Sequence, residues 1–425
     1  MSLWRNGDFL RLWSAQTISV FGSQITMLAL PLAAIIVLDA SAFEVATLTA
    51  LEWTPWLLFS LPAGAWVDRL PRRAVLIVSD LGRAAALVSI PIAYGFDVLT
   101  LGQLYAVGFV TGTLTVFFEV AYVAYLPSLV ERRQLGESNS KLETTRAGAQ
   151  VGGPGLAGLL VELFSAPVAI LADAISFIAS ALFLGGIRAR EAKPTRADGT
   201  RLVGEVVEGL RFVLGHPWMR PSMASIATSN FFWNVLSAVL LVYAVRVLDL
   251  SAATIGLAFT LGNIGPIAGA LLANRVATRL GVDPTIVLSM FLLGFPTLLV
   301  PLAPAAYAVP IFAVVFAFAG FWGVVTNVVG ISLFQATTPD RLQGRATASR
   351  RLVNFGAVPL GSLAGGGLAA TIGLRETLWV GAVGATLAFL PLALSSIRHI
   401  REVPEEEPEA EPLAVPPKLG PDPTA

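Results

Sequence analysis

Besides Asp80, three acidic residues lie well inside apolar runs of the 425-residue sequence. They are Glu52 in LEWTPW, Glu119 in VFFEVAY and Asp173 in LADAISF. An ionisable side chain at the middle of a membrane costs about 3 kcal/mol on insertion scales, so its presence suggests a use or a partner. A carboxylate in such surroundings can gain and lose a proton as its access to water changes. We therefore treat all three as proton-coupling candidates; the alternative is a carboxylate satisfied by an arginine or a neighbouring helix.

Asp80 and Arg83 are a different kind of pair. They are three residues apart in one apolar run, so they fall on the same side of a helix and can form an ion pair. This spacing favours a structural role over a role in transport.

Other chemistry is scarce in this sequence. It contains no cysteine, and its two histidines, His216 and His399, lie outside the apolar runs. Thiolate chemistry, disulfides and a metal cluster inside a membrane are therefore excluded. A Gly-Lys-Ser/Thr loop for phosphate binding is also missing, which argues against an ATP-driven pump. We expect no enzyme activity, no cofactor and no metal site.

Polar and aromatic side chains within the second half of the chain are candidates for contact with a solute. A cavity with aromatic groups and few charges suits a bulky, amphipathic molecule. Ordinary helix packing explains each residue equally well when it is taken alone. The substrate-cavity candidates are Asn230, Trp233, Asn234, Asn263, Trp322, Asn327 and Asn354.

The composition indicates that lipid is the solvent. The chain is 55% hydrophobic and 13% charged, with a mean hydropathy of +0.73, whereas soluble domains carry roughly a quarter charged residues. A formal net charge of zero gives no reason to expect nucleic acid as a partner. Helices are the only plausible spans, because the apolar runs are too long and too uniform for barrel strands.

Twelve runs are long enough to cross a membrane as helices, which need about 20 apolar residues each. The fold class is thus an all-α integral membrane protein with twelve transmembrane helices. The predicted spans are Leu12–Leu38, Phe43–Val67, Ala74–Phe96, Leu101–Leu126, Thr144–Phe164, Pro167–Ile187, Pro221–Val245, Ala252–Val276, Thr285–Ala303, Ala306–Gln335, Thr347–Ile372 and Leu374–Ile397.

The distribution of positive charge predicts the orientation of these spans. Of the 28 lysines and arginines, only Arg246 and Arg375 fall at the ends that we assign to the outside. Cytoplasmic loops retain positive charge during insertion. Both termini of this multi-pass protein are therefore expected in the cytoplasm, and the cell (cytoplasmic) membrane is its expected location.

Polar segments divide the chain into four parts. We predict a six-helix bundle over 1–187, a cytoplasmic linker over 188–220, a second six-helix bundle over 221–400 and a disordered cytoplasmic tail over 401–425. Apolar residues recur at helical spacing in the linker, which indicates an amphipathic helix lying on the membrane or on the bundle. A helix that docks a partner is the alternative.

The two bundles carry the same landmarks at one spacing, which favours two parallel repeats around a central cavity. Alternating access by rocking of the two halves follows from such an arrangement. Chance recurrence of glycine and proline is the alternative. The matching pairs, each 205 residues apart, are Gly64 and Gly269, Pro154 and Pro359, and Arg146 and Arg351.

The loop after the second span combines one acid with three arginines. Gly64, Asp68, Arg69, Arg72 and Arg73 stand in GAWVDRLPRR. Ion pairs and hydrogen bonds from this loop to nearby helix ends can lock one face of the bundle and break when the halves move. The alternative interpretation is that the arginines only fix the orientation of the spans in the membrane. Both roles can hold together.

The sequence resembles the major facilitator superfamily over its whole membrane domain. GAWVDRLPRR is similar to the loop signature between spans two and three of that family, with Pro71 at the usual place of a second glycine. GGPGLAG, with Gly152, Gly153, Pro154 and Gly158, resembles the span-five antiporter motif.

More local phrases narrow this resemblance. FFEVAYVAYLPSLV and GRATASRRLVNFGAVPLG are similar to the drug:proton antiporter-3 branch, which includes macrolide-efflux and enterobactin-exporter proteins. The resemblance implies the major facilitator fold and export driven by proton exchange.

We therefore expect a monomeric secondary active transporter that exports a small amphipathic molecule, such as a drug, a macrolide or a siderophore-like compound. Its partners are this substrate, protons and the lipid bilayer. An uptake permease on the same fold, or a non-transporting membrane sensor or lipid flippase, are the alternatives.

Overall fold

The computed structural model describes residues 3–189 and 202–395, and the regular structure within these ranges is helical. A π-helical turn, Ala33–Val37, extends the first helix, and a 3₁₀ segment, Phe295–Leu302, follows α11. The α-helices are α1 Gly7–Leu32, α2 Ala42–Val67, α3 Arg72–Gly95, α4 Leu101–Leu129, α5 Leu135–Phe164, α6 Ala166–Gly185, α7 Leu202–Gly215, α8 Met219–Arg246, α9 Ala252–Gly262, α10 Ile264–Leu280, α11 Val282–Gly294, α12 Ala308–Thr337, α13 Asp340–Ile372, α14 Leu374–Leu387 and α15 Leu390–Ala393.

Ten helical segments in the described ranges are long and apolar enough to cross a bilayer. One of them joins α9 and α10 into Ala252–Leu280. Two further long helices, α2 and α5, occupy the positions of the second and fifth predicted spans. The chain is thus a multi-pass membrane protein, whereas the count of twelve spans and their arrangement as two repeats stay predictions.

Local sequence explains where several helices begin. Ser41 and Glu44 form a reciprocal capping box at the start of α2, in which the hydroxyl accepts from the Glu44 amide and the carboxylate accepts from the Ser41 amide. Thr100 and Ser251 cap α4 and α9 in the simpler manner, each accepting one backbone hydrogen bond. Short loops with capped helices keep successive spans antiparallel.

The bundle has two ends, which we name by their contents. The amino-terminal face contains Asn6, whose side chain donates to the carbonyl of Leu129 at 2.9 Å, and Arg188, whose amide donates to Asp8 at 3.0 Å. The opposite face contains Asp39 and the loops that follow α3, α5 and α8. The positive residues of the sequence predict that the amino-terminal face is cytoplasmic.

Buried apolar residues show how the two halves meet. On the side of the opposite face, one core includes side chains from both halves, such as Val161 of α5 and Ile255 of α9. On the side of the amino-terminal face the core divides. One cluster there surrounds Tyr125 in the first half and another surrounds Met290 in the second. The two halves are therefore joined near the opposite face and separate towards the amino-terminal face.

Large apolar side chains also cover the outside of the bundle. Leu182 and Leu271 are 72% and 75% exposed, and Val123 and Val314 are exposed to a similar extent. Water does not tolerate such a surface, whereas lipid chains do, so these residues mark the perimeter that contacts the bilayer.

The linker contributes one helix to the amino-terminal face. α7 packs against α13 and α8, Gly209 lies directly on the backbone of Arg345, and Glu208 forms an ion pair with Arg345. The helix thus lies on the bundle, one of the two placements that its pattern allowed. Residues 190–201 of the linker and the predicted tail, 401–425, lie outside the described residues.

Candidate functional site

A cavity of about 270 Å³ lies within the second half of the bundle. Its walls come from α8, α11, α12 and α13, with the end of the linker at its rim. Asn230 is 11 residues into α8, and Asn327 is 10 residues before the end of α12. At 1.5 Å per helical residue, both lie about 15 Å from the amino-terminal face. The cavity therefore reaches towards the middle of the membrane from the side on which the two halves are separate.

Three of the seven substrate-cavity candidates line this cavity: Asn230, Asn327 and Asn354. The amide of Asn230 donates to the side-chain oxygen of Asn354, which connects α8 with α13. Asn327 makes no hydrogen bond to another described residue through its side chain. These amides offer both donors and acceptors to a bound solute.

The other four candidates lie elsewhere. Asn234 donates to the carbonyl of Asn230 within α8, and Trp233 packs edge-on against Phe316. Asn263 donates at 2.6 Å to the carbonyl of Gln150, so it connects the two halves. Trp322 is one turn from the cavity residue Thr326, and its buried indole N–H has no partner among the described residues.

Sequence reasoning missed the methionines of this cavity. Met219, Met223 and Met290 line its wall, and they are three of the five methionines in the chain. Thioether side chains are flexible and polarisable, so they adapt to ligands of different shape. The spacing of Met219 and Met223, one turn apart at the start of α8, is a signal that could have identified them.

Two adjacent arginines, Arg350 and Arg351, were also missed as cavity residues. Both line the cavity from α13, and the Arg350 guanidinium lies 5.3 Å from the centroid of the Phe334 ring. Neither forms an ion pair with a described carboxylate. The sequence placed Arg351 only as a landmark of the internal repeat.

A buried polar network lies in the first half, apart from the cavity. Asp80 and Arg83 form an ion pair, as their spacing predicts, and both side chains are almost wholly buried. Ser180 donates to Asp80 at 2.6 Å, which adds α6 to the network. Phe118 and Phe177 lie against the guanidinium at 4.4 and 4.0 Å. A buried ion pair with these hydrogen-bond and ring contacts fits a structural role.

Asp173, a proton-coupling candidate, is a neighbour of this network on α6. Its carboxylate accepts from Thr26 of α1 at 2.5 Å and from Ser176 at 3.0 Å. The residue is 1% exposed. A proton can reach it only after these helices rearrange.

Glu119 and Arg146 form an ion pair between α4 and α5. The Arg146 guanidinium donates to both carboxylate oxygens at 3.3 Å. The arginine satisfies the charge of Glu119, which is the structural alternative to a role in proton coupling. A partnered carboxylate can still release its arginine when the helices separate, so its role in coupling stays a prediction.

Glu52 is in a different environment from the other two candidates. Its side chain lies against Gly108 of α4, where a Cβ would stand 3.0 Å from the Glu52 Cγ. No described residue donates a hydrogen bond to its carboxylate. Trp56, one turn along α2, packs on Phe355 of α13 with ring centroids 5.0 Å apart. Glu52 therefore lies beside the contact between the two halves.

The predicted gate residues lie at the amino-terminal face. Arg72 is 3.7 Å from Asp68 and donates to the carbonyl of Ala124 at the end of α4. Arg73 donates to the carbonyls of Leu184, at 2.9 Å, and of Gly185. Cations at helix C-termini are favourable there. The loop thus connects α3 with the ends of α4 and α6.

The remaining two gate residues have open surroundings. Arg69 is exposed, and a Cβ built on Gly64 would meet no atom within 4 Å.

The antiporter motif lies where α5 meets the other half. A Cβ on Gly158 would stand 2.3 Å from the carbonyl oxygen of Ala252, and one on Gly256 would stand 2.4 Å from that of Pro154. Gly153 packs on Gln24 of α1, with Gly152 near Phe21. Small residues permit this close approach of α5 to α9 and α1.

Comparison with known proteins agrees with this fold. The chain belongs to the transmembrane secretion effector family of major facilitator proteins, whose family model matches residues 1–419. It is similar to the multidrug efflux pump Tap of Mycolicibacterium fortuitum, with 27% identity over 406 residues that cover 91% of this chain and 96% of the relative. It is also similar to macrolide efflux protein A of Streptococcus pyogenes, with 24% identity over 42% of this chain and 44% of that protein.

The fold has solved counterparts. A bacterial homologue of the iron transporter ferroportin, in its inward-facing state, superposes with a TM-score of 0.75 at 18% identity, over 93% of this chain and 99% of that one. The family and the fold define this chain as a membrane transporter and not an enzyme.

Proposed function

We propose that this protein is a proton-coupled exporter that moves small amphipathic molecules across the cell membrane by alternating access. The observation that carries the proposal is the cavity lined by Asn230, Asn354 and the methionines, reaching mid-membrane depth from the amino-terminal face. The names of the similar proteins, a multidrug efflux pump and a macrolide efflux protein, favour export over uptake.

The arrangement of the two halves supports alternating access. Contacts between them concentrate near the opposite face, where Arg246 of α8 donates to the carbonyl of Ala40 at 2.8 Å and pairs with Asp39 at 2.6 Å. Rocking about the middle of the bundle would break these contacts and close the amino-terminal face. A solute that enters from the cytoplasm would then leave on the other side.

Glu52 is the proposed proton carrier. Its carboxylate has no hydrogen-bond donor among the described residues, and it lies beside the packing of Trp56 on Phe355 that joins the halves. An unpartnered charge at this depth is unfavourable, so the state of its proton depends on whether water reaches it. Opening and closing of the halves changes that access, which is what coupling requires.

The test is transport in proteoliposomes with an imposed pH gradient. Fluorescent amphipathic probes of anionic, neutral and cationic charge are followed with the wild type, Glu52→Gln and the control Glu143→Gln, which removes an exposed carboxylate from α5. We expect gradient-driven flux in the wild type and in the control, and flux that ignores the gradient in Glu52→Gln.

Two results would contradict the proposal in different ways. Wild-type flux that is independent of the pH gradient removes proton coupling. Gradient-driven flux that persists in Glu52→Gln removes the role of that residue and directs attention to Asp173 and Glu119. Reversing the gradient across the same vesicles separates export from uptake.

A further inference from the structure

We propose that the cavity selects amphipathic anions, with Arg350 and Arg351 binding the negatively charged group and the methionine-lined wall taking the apolar part. This inference rests on the proposed function, because it specifies the substrate class of the same cavity. It goes beyond the names of the similar proteins, a multidrug efflux pump and a macrolide efflux protein, which do not specify a charge for the substrate.

The first observation is that these two guanidinium groups have no counter-ion among the described residues. Both line the cavity, and Arg350 is 10 residues into α13, about 15 Å along the helix from its start. Neither forms a salt bridge or a hydrogen bond with a described residue. Arginine inside a membrane protein faces a cavity or a partner, and here the cavity is what both face.

Elsewhere the described chain neutralises its arginines at comparable depth. Arg83 pairs with Asp80 in the first half, and Arg146 pairs with Glu119 between α4 and α5. Even at the rim, Arg345 pairs with Glu208. The two cavity arginines are thus an exception to a rule that the same structure follows at three other places.

Comparison of equivalent positions in the two halves supports the same conclusion. Arg351 is 205 residues after Arg146, the spacing of the other landmarks. The position that lies 205 residues after Glu119 is Val324. The arginine is therefore present in both halves at this register, whereas its carboxylate is present only in the first. A ligand can supply the missing negative charge.

The rest of the lining fits an anion and disfavours a cation. None of the described residues that line the cavity is acidic. Asn327 and the hydrogen-bonded pair of Asn230 and Asn354 contribute polar groups beside the arginines. A guanidinium donates two parallel hydrogen bonds to a carboxylate, phosphate or sulfonate, which is why it recognises such groups. A cationic solute would meet only like charge here.

The experiment compares three probes that share one fluorophore and differ in charge. They are dansylglycine, which is anionic, dansylglycinamide, which is neutral, and dansylcadaverine, which is cationic. Their affinities are measured by dansyl fluorescence with the purified full-length protein in phosphatidylcholine nanodiscs. We expect dansylglycine to bind at least about tenfold more tightly than either of the others, the ratio for one charge-assisted contact of about 1.4 kcal/mol.

Variants assign this preference to the cavity. Arg350→Gln and Arg351→Gln should each remove most of the difference in affinity between dansylglycine and dansylglycinamide. Arg351→Lys keeps the charge and should retain the preference, which separates lost charge from misfolding. The control is Arg279→Gln, which removes an exposed arginine at the end of α10, outside the cavity, and should behave as the wild type.

An amphipathic anion can be a solute or a lipid headgroup, and one further arm distinguishes these sources. Short-chain phosphatidylglycerol, added below its micelle concentration, displaces dansylglycine if a lipid headgroup is the ligand and leaves it bound if a solute is.

Two outcomes would overturn the inference. One is dansylcadaverine binding as tightly as dansylglycine. The other is an anion preference that survives both glutamine variants. Gradient-driven transport that carries the cationic or neutral probe in preference would refute the anion site and leave the transporter intact. Absence of flux for every probe would refute the transport proposal itself.

Discussion

Replacing Gly158 with alanine tests whether the contact of α5 with α9 holds the opposite face closed. The new Cβ would stand 2.3 Å from the carbonyl oxygen of Ala252 and 3.1 Å from its carbon. Both are backbone atoms, so no side chain can rotate away. Carbon atoms in good contact are about 3.5–4.0 Å apart, which means that the helices must separate by about 1 Å.

The size of the effect follows from the cost of overpacking. Forcing one extra carbon into a packed interface typically costs about 1–3 kcal/mol. If the contact exists only while the opposite face is closed, the whole cost falls on that state, and its population relative to the open state drops about 5- to 150-fold. The gain in helix propensity on replacing glycine is common to both states and cancels.

The assay uses distances between spin labels on the opposite face. The chain has no cysteine, so labels at Val98→Cys and Val247→Cys, which are 62% and 54% exposed, are the only ones introduced. Pulsed electron paramagnetic resonance should show mainly the shorter distance in the parent and a larger longer-distance population in Gly158→Ala. Gly148→Ala is the matched control, since its Cβ would meet no atom within 4 Å on the same helix.

An unchanged distance distribution in Gly158→Ala, with the protein still folded, would refute this reasoning. It would mean that α5 and α9 shift together without opening the face. An equal shift in Gly148→Ala would also contradict it, because helix propensity would then be the cause.

Three further changes probe other contacts. Arg246→Gln removes an exposed ion pair with Asp39, worth at most about 1 kcal/mol, and a hydrogen bond to the carbonyl of Ala40, worth about 1 kcal/mol. The population with the longer spin-label distance should therefore rise by at most about 30-fold; an unchanged distance distribution would show that these contacts do not hold the opposite face closed. Asp80→Asn leaves the buried guanidinium of Arg83 without its paired charge and should destabilise the first half by about 3 kcal/mol, seen as a lower Tm; an unchanged Tm would show that the ion pair is dispensable. Gly209→Val places a side chain against the backbone of α13, so amide hydrogen exchange should rise in α7 and stay unchanged in α1; unchanged exchange in α7 would show that it does not depend on this contact.

The sequence alone determined the positions of the membrane helices and the family of the protein. The helices in the structure begin and end within a few residues of most predicted spans, because only a continuous apolar helix satisfies its backbone in lipid. Among the starts of the membrane helices, the largest difference is at α5, which begins at Leu135, nine residues before the predicted Thr144. Its first turns are polar and project from the amino-terminal face, so hydropathy does not report them.

Only the tertiary structure decided which polar side chains share the cavity. Asn230 and Asn354 face each other, whereas Asn263, equally polar and equally deep in its apolar run, points to the other half. The position of Arg350 and Arg351 at the cavity is likewise not indicated by hydropathy. The reason is physical: the rotation of a helix about its axis is set by packing against its neighbours, and a sequence pattern uniformly apolar around the helix does not encode that rotation.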